Sequence, residues 1–150
     1  MLAVVDELDR KILAELLKDS RTSSREIAKK LGTSAGTVLA RIRRMEEEGV
    51  IKGYSAILDY EKLGYQLTAV TEIIVSRGKL LEVDKEVAKL PWTCAVYDVT
   101  GETDAIVVAK FRGRKELSDF TKALLSLPFV ERTNTHVVLT TIKEDFRIPV

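Results

Sequence analysis

Ser34-Ala35-Gly36-Thr37-Val38-Leu39-Ala40-Arg41-Ile42-Arg43-Arg44-Met45-Glu46-Glu47-Glu48 decides how the chain is read. Ser34 is a good helix N-cap and Gly49 a good helix stop, so the stretch predicts a helix from about Ala35 to Glu48. At helical spacing Val38, Ile42 and Met45 fall on one narrow face and must point at a core. Gly36, Thr37, Ala40, Arg41, Arg43, Arg44 and Glu47 fall on the other side. That outer face is small and polar near its start and basic farther along. Small residues let a helix approach base edges closely. Arg41 can reach guanine N7/O6 or phosphate, and Arg43 and Arg44 can reach phosphates. Glu46-Glu47-Glu48 would repel phosphate, so contact should weaken at the far end. A solvated face can also carry arginines; what precedes this helix decides against that reading.

Upstream, Asp6 predicts a cap for a helix to about Lys18, with Leu8, Ile12, Leu13, Leu16 and Leu17 as its apolar stripe. Asp19-Ser20-Arg21-Thr22 breaks it. Ser23 or Ser24 caps a shorter second helix with Ile27, Ala28 and Leu31 facing inward, and Gly32-Thr33 turns the chain into Ser34. Helix, tight Gly-containing turn, helix is the helix-turn-helix pattern. From Ser20 to Met45 there are seven basic residues and one acid, a net +6, in a chain whose overall charge is only +1. Charge concentrated in this way is the footprint expected of a phosphate-binding surface. Downstream, Gly49 to Leu58 reads as extended chain, able to serve as a wing and as a connector.

The remaining chain reads as β-α-β-β-α-β. Tyr60 to Gly64 is a turn. Strands are expected at Leu67–Ser76, Thr93–Thr100, Ala105–Phe111 and Val130–Ile142. Helices are expected at Lys79–Leu90, stopped by Pro91, and at Lys115–Leu127, followed by Pro128. This order is the ferredoxin-like split motif, so the fold class is α+β. Both faces of the sheet are largely apolar: Val70 and Ile74 alternate with Ala69, Ile73 and Val75, and Ile106 and Val108 with Val107 and Ala109. Two helices cover one face only, and a second subunit is the economical cover for the other.

Composition narrows the classes. With 45% hydrophobic and 31% charged residues the chain is of globular type. No apolar run approaches the roughly 20 residues that span a bilayer, and Asp6, Glu7 and Asp9 interrupt the only early apolar stretch, so a cytoplasmic location is expected. Gln66 and Asn134 are the only amides, the bias of proteins from hot environments. Cys94 and His136 are the only Cys and His, so no His/Cys metal cluster forms within one chain. Neither G-x-x-x-x-G-K nor G-x-G-x-x-G occurs. Cys94, in a strand, reads as a small core residue and not as a nucleophile. An enzyme is not expected, and no cofactor or catalytic residue is called for.

These residues resemble the Lrp/AsnC family of leucine-responsive and feast/famine regulators over nearly the whole chain. The resemblance is carried by Leu8-Asp9-Arg10-Lys11-Ile12-Leu13, Thr37 to Glu46, Gly49-Val50-Ile51-Lys52-Gly53-Tyr54, Thr100-Gly101-Glu102-Thr103-Asp104, and Leu127-Pro128-Phe129-Val130-Glu131-Arg132-Thr133-Asn134-Thr135. It implies a DNA-binding transcriptional regulator with a winged helix-turn-helix at 1–52, a hinge at 53–65, and an ACT-like RAM domain at 66–150 that binds an amino-acid effector and oligomerises. Family members are dimers that often associate into octamers. From the outer face of the third helix and its cap, Ser34, Gly36, Thr37, Ala40, Arg41, Arg43 and Arg44 are the candidate DNA contacts. Tyr97, Gly101, Glu102, Thr103, Asp104, Thr133, Thr135 and His136 are the candidate effector contacts, in a site between subunits that Thr133, Thr135 and His136 can complete from a neighbour. Many relatives have Tyr where His136 stands, a departure that bears on ligand preference. Asp104 offers a fixed charge to an α-ammonium group, and Glu102 tilts the expectation toward a polar or basic effector. The rival is an architectural DNA protein without an effector.

Overall fold

Asp6 and Asp9 open the first helix reciprocally. The Asp6 carboxylate accepts the Asp9 N–H at 2.9 Å, and the Asp9 carboxylate accepts the Asp6 N–H at 3.0 Å. This capping box satisfies two of the donors that a helix start leaves unpaired. The computed structural model describes residues 4–150 and places α1 at Glu7–Lys18 behind that box. Ser23 and Glu26 form a second capping box, and α2 spans Ser24–Leu31. Gly32 ends α2 at φ +67°, a left-handed conformation that glycine adopts without a Cβ clash. Ser34 then caps α3, Ala35–Glu47, by accepting the Thr37 N–H at 3.1 Å. Ile12, Ile27, Ala28, Val38 and Met45 form the buried core of these helices. Residues 50–58, expected as extended wing and connector, are irregular and carry no strand.

The chain divides into two compact units, one reaching Ile57 and taking in Lys143–Val150, the other Leu58–Ile142. The tail therefore groups with the helical unit, where Arg147 donates to the Leu17 carbonyl at 3.4 Å, although the sequence division assigned it to 66–150.

The second unit follows the expected order: β1 (Leu67–Val75), α4 (Leu80–Ala88), β2 (Thr93–Asp98), β3 (Ala105–Phe111), α5 (Arg114–Ser126) and β4 (Val130–Val137). The sheet is antiparallel with strand order β2-β3-β1-β4. Strand alternation sends Ala69, Ile73, Val107, Ala109 and Phe111 to one face, where Val83 and Val87 of α4 and Phe120 and Leu124 of α5 complete a buried core. Phe111 and Phe120 pack at 5.2 Å between ring centroids. The other face carries Val70, Ile74, Ile106 and Val108, all half-buried.

Two strand readings need correction. The fourth strand ends at Val137, not Ile142, because Val137 pairs with Ala69 and Val138 donates to Thr68 near the end of β1, leaving little further strand to pair with. Cys94 is not a core residue. It is exposed at a register shift between Thr93 and Ala95 on the edge strand β2, where the bulge breaks the alternation that would have turned it inward.

Asp84 of α4 lies against Asp98 at the end of β2. Burial, together with a hydrogen bond to Asp98, pushes Asp84 up to about 7, and its Oδ1 is buried without a partner. Between its ordinary value of 3.8 and about 7 the folded chain holds a proton that the unfolded chain has released. Stability contributed by this group is thus complete at acid pH and is lost as pH rises through about 7. Melting temperatures of the wild type and Asp84→Asn, measured across that window, should converge or cross in favour of the variant at alkaline pH. Parallel curves would show that Asp84 does not carry the effect.

Candidate nucleic-acid interface and effector cleft

The helical unit distributes its cations unequally. Arg41 Nη1 bonds Asp6 and lies 3.1 Å from Asp9 Oδ1, and Arg44 Nη2 bonds the other Asp9 oxygen. Asp9 is fully buried. Arg21 pairs with Asp19 at 3.0 Å, and Lys30 with Glu15 at 2.8 Å. The Arg41 guanidinium holds the Asp6 carboxyl down at about 2. Four of the seven basic residues between Ser20 and Met45 are therefore neutralised within the unit. Arg25, Lys29 and Arg43 are exposed and carry no ion pair among the described residues. The acids that pair with the other four, Asp6, Asp9, Glu15 and Asp19, all precede Ser20 in the chain.

On α3, Gly36, Leu39, Ala40 and Arg43 form the exposed stripe at helical spacing. Thr37, Arg41 and Arg44 sit beside it, half-buried. Ser34 and Thr37 share a hydroxyl bond of 2.8 Å at the helix start. Leu39, 41% exposed, is a surface residue that the charge-centred reading passed over. Its signal was an apolar side chain lying off the Val38/Ile42/Met45 stripe, and such a group suits a thymine methyl. At the far end Tyr54 donates to Glu46 at 2.8 Å, and burial with that bond pushes the phenol up to about 12.

In the second unit, Gly101 occupies φ +120° in the turn between β2 and β3, a conformation that favours glycine. Thr103 donates to the Ile73 carbonyl at 3.0 Å, and the Asp104 carboxylate accepts the Val75 N–H at 2.8 Å. Asp104 thus serves first as a clamp on the end of β1. On the open face, Glu72 accepts from Asn134 at 2.8 Å, and His136 Nε2 lies 3.0 Å from the same Glu72 oxygen. These contacts, that to His136 foremost, lower the Glu72 pKa. Glu72, Ile74, Glu102, Thr103, Arg132 and Asn134 line a cleft of about 350 Å³.

Of the expected effector residues, the structure brings Glu102 and Thr103 into this cleft, with Gly101 and Asp104 in the same turn and His136 bonded to its wall. Within one chain it separates the others. Thr133 and Thr135 pair with Ile73 and Thr71, buried residues of the helix-covered face, and Thr135 shares a 3.1 Å hydroxyl bond with buried Thr71. Tyr97 lies on the far edge strand beside Asp84 and Asp98. Glu72, Arg132 and Asn134 were missed. A lone acid within the apolar run Leu67–Val75 and the two-residue spacing of Arg132, Asn134 and His136 were the available signals.

The family matches part the chain near the same boundary but carry the second part through residue 148. Residues 5–52 match the family model described as winged helix-turn-helix DNA-binding, and residues 68–148 match the Lrp/AsnC ligand binding domain. An uncharacterized HTH-type transcriptional regulator of Pyrococcus furiosus is 51% identical over 144 residues, covering 96% of this chain and 97% of the relative. The HTH-type transcriptional regulator FL11 of Pyrococcus horikoshii is 40% identical, with 97% of each chain covered. The feast or famine regulatory protein of M. tuberculosis, solved with L-methionine, superposes with a TM-score of 0.90 at 26% identity, covering 98% of this chain and all of that one.

Arg43→Ala should weaken binding to any duplex and flatten the slope of log K against log salt by about one unit. Arg44→Ala should instead lower thermal stability, by about 1–3 kcal/mol, because it leaves buried Asp9 short of a partner. Unfolding curves and a salt titration of the two variants would expose an exchange of these roles.

Proposed function

Since the chain belongs to the Lrp/AsnC family of HTH-type transcriptional regulators, we propose that it binds operator DNA through α3 as a homodimer and answers to an amino acid held in the cleft beside the β2–β3 turn. The observation that carries this reading is the coexistence of an exposed small-residue stripe with free Arg43 on α3 and a polar, charge-lined cleft in the ligand-binding domain. Ser34, Gly36, Thr37, Ala40 and Arg43 face the groove, with Arg25 and Lys29 on phosphate. Arg41 and Arg44 support that surface from behind. Residues 53–65 serve as the hinge between a DNA-binding domain, 1–52, and an effector domain, 66–150. The location is cytoplasmic, as transcription requires; among the described residues no helix is long and apolar enough to cross a membrane.

The open sheet face supports the dimer: Val70, Ile74, Ile106 and Val108 are only half-buried there, on the side away from α4 and α5. Dimers associating to octamers would put effector binding and assembly under one free energy, so that either shifts the other.

The cleft's chemistry narrows the effector. Arg132 suits an α-carboxylate and Glu102 an α-ammonium group. Glu72 then leaves a second carboxylate for the effector's side chain, and Ile74 is the only aliphatic residue in the lining. A polar or basic side chain fits this balance better than an aliphatic one. Thr133 and Thr135 support the sheet behind the cleft from the same chain.

Calorimetry and thermal shift with L-lysine, L-arginine, L-glutamine, L-methionine and L-leucine test the assignment. Binding is expected with the basic or polar members, weakened about tenfold in Glu102→Gln by loss of a charge-assisted bond, and accompanied by a change in sedimentation. Preference for leucine or methionine would refute the effector class, and no binding in the whole panel would favour the architectural reading.

A further inference from the structure

The Asp6–Asp9 pair does more than cap α1. Arg41 Nη1 is shared between Asp6 and Asp9, and Arg44 is held by the second Asp9 oxygen. Two carboxylates thus face two guanidinium groups of the helix that meets DNA. We propose that Asp6 and Asp9 form an internal counter-ion for α3, restraining Arg41 and Arg44 from phosphate and so limiting sequence-independent DNA binding. The inference rests on the docking of α3 proposed above.

The two acids play unequal parts. Asp9 is fully buried and cannot follow an arginine toward solvent. A phosphate that drew either arginine away would leave a desolvated carboxylate short of a partner, an exchange that costs far more than parting a surface pair. Asp6 is the adjustable half, with its side chain 48% exposed. The Arg41 and Arg44 side chains remain 29% and 39% exposed, near enough to the surface for their counter-ions to decide whether they act as free charges. Sequence-independent affinity grows with the number of phosphates neutralised. Withholding two cations lowers that affinity while leaving Gly36, Leu39 and Ala40 free to read bases. What improves is the ratio of specific to competing sites.

The test uses the full chain and a random-sequence duplex, followed by fluorescence anisotropy over a salt series. Asp6→Asn keeps a good N-cap but removes the negative charge that faces Arg41. It should tighten binding several-fold at low salt and steepen the log K against log salt slope by up to about one unit. Glu7→Gln removes an equal charge one residue away, from a side chain paired with Lys11 at 3.4 Å and with no hydrogen bond or ion pair to α3 among the described residues, and should shift binding much less. In an Arg41→Ala background, Asp6→Asn should add nothing. Unchanged or weaker binding of Asp6→Asn, an equal effect of Glu7→Gln, or persistence in the Arg41→Ala background each overturns the counter-ion. Arg43→Ala separates the two levels. If it leaves binding unchanged, the docking of α3 is wrong; if it weakens binding while Asp6→Asn does nothing, the counter-ion alone fails.

Discussion

The carboxylate of Asp9 is where the helical unit is tied together. One oxygen accepts the Asp6 N–H and bonds Arg44, and the other receives Arg41. A buried carboxylate is tolerated only when its lone pairs are filled, and here a helix start and two guanidinium groups fill them. The register between α1 and α3 follows from this requirement, since shifting either helix would empty the site. The apolar core of Ile12, Ile27, Val38 and Met45 supplies the burial that makes the requirement strict. The outward stripe of α3 is then defined by what is left after its arginines have been directed back toward α1.

The sheet applies a similar constraint through its period of two. Each strand must divide its side chains between a face packed on α4 and α5 and an open face. Residues adjacent in sequence on β4 therefore serve different ends: Thr133 and Thr135 stay with the covered face, while Arg132, Asn134 and His136 join Glu72 on the other. The β2–β3 turn is held to β1 by Thr103 and Asp104, which fixes the cleft's rim before any ligand arrives. Rigid rims of this kind lower the ordering cost of binding a small molecule.

Much of the fold was legible because its signals are local. Asp6, Ser23 and Ser34 marked the three helix starts, Gly32 the turn, and alternation the strands. What escaped needed partners distant in sequence. Nothing near Arg41 or Arg44 in the chain announces Asp9, thirty-odd residues earlier, so their charges looked free. Asp104 looked available until β1 supplied the Val75 N–H. Cys94 looked buried because a bulge is a property of a strand pair and not of one strand. The candidate residues could therefore be named from the sequence, while which of them pair with one another waited on tertiary structure.

Burying Asp9 among arginines also gives the helical unit an unusual thermal character. Ionic groups lose hydration free energy as temperature rises, so the desolvation penalty of such a pair shrinks on heating, while apolar burial gains little more per unit area. The link between α1 and α3 thus becomes a larger share of the unit's cohesion when hot than when cold. The same helix pair should loosen first at low temperature, where water competes hardest for the carboxylate.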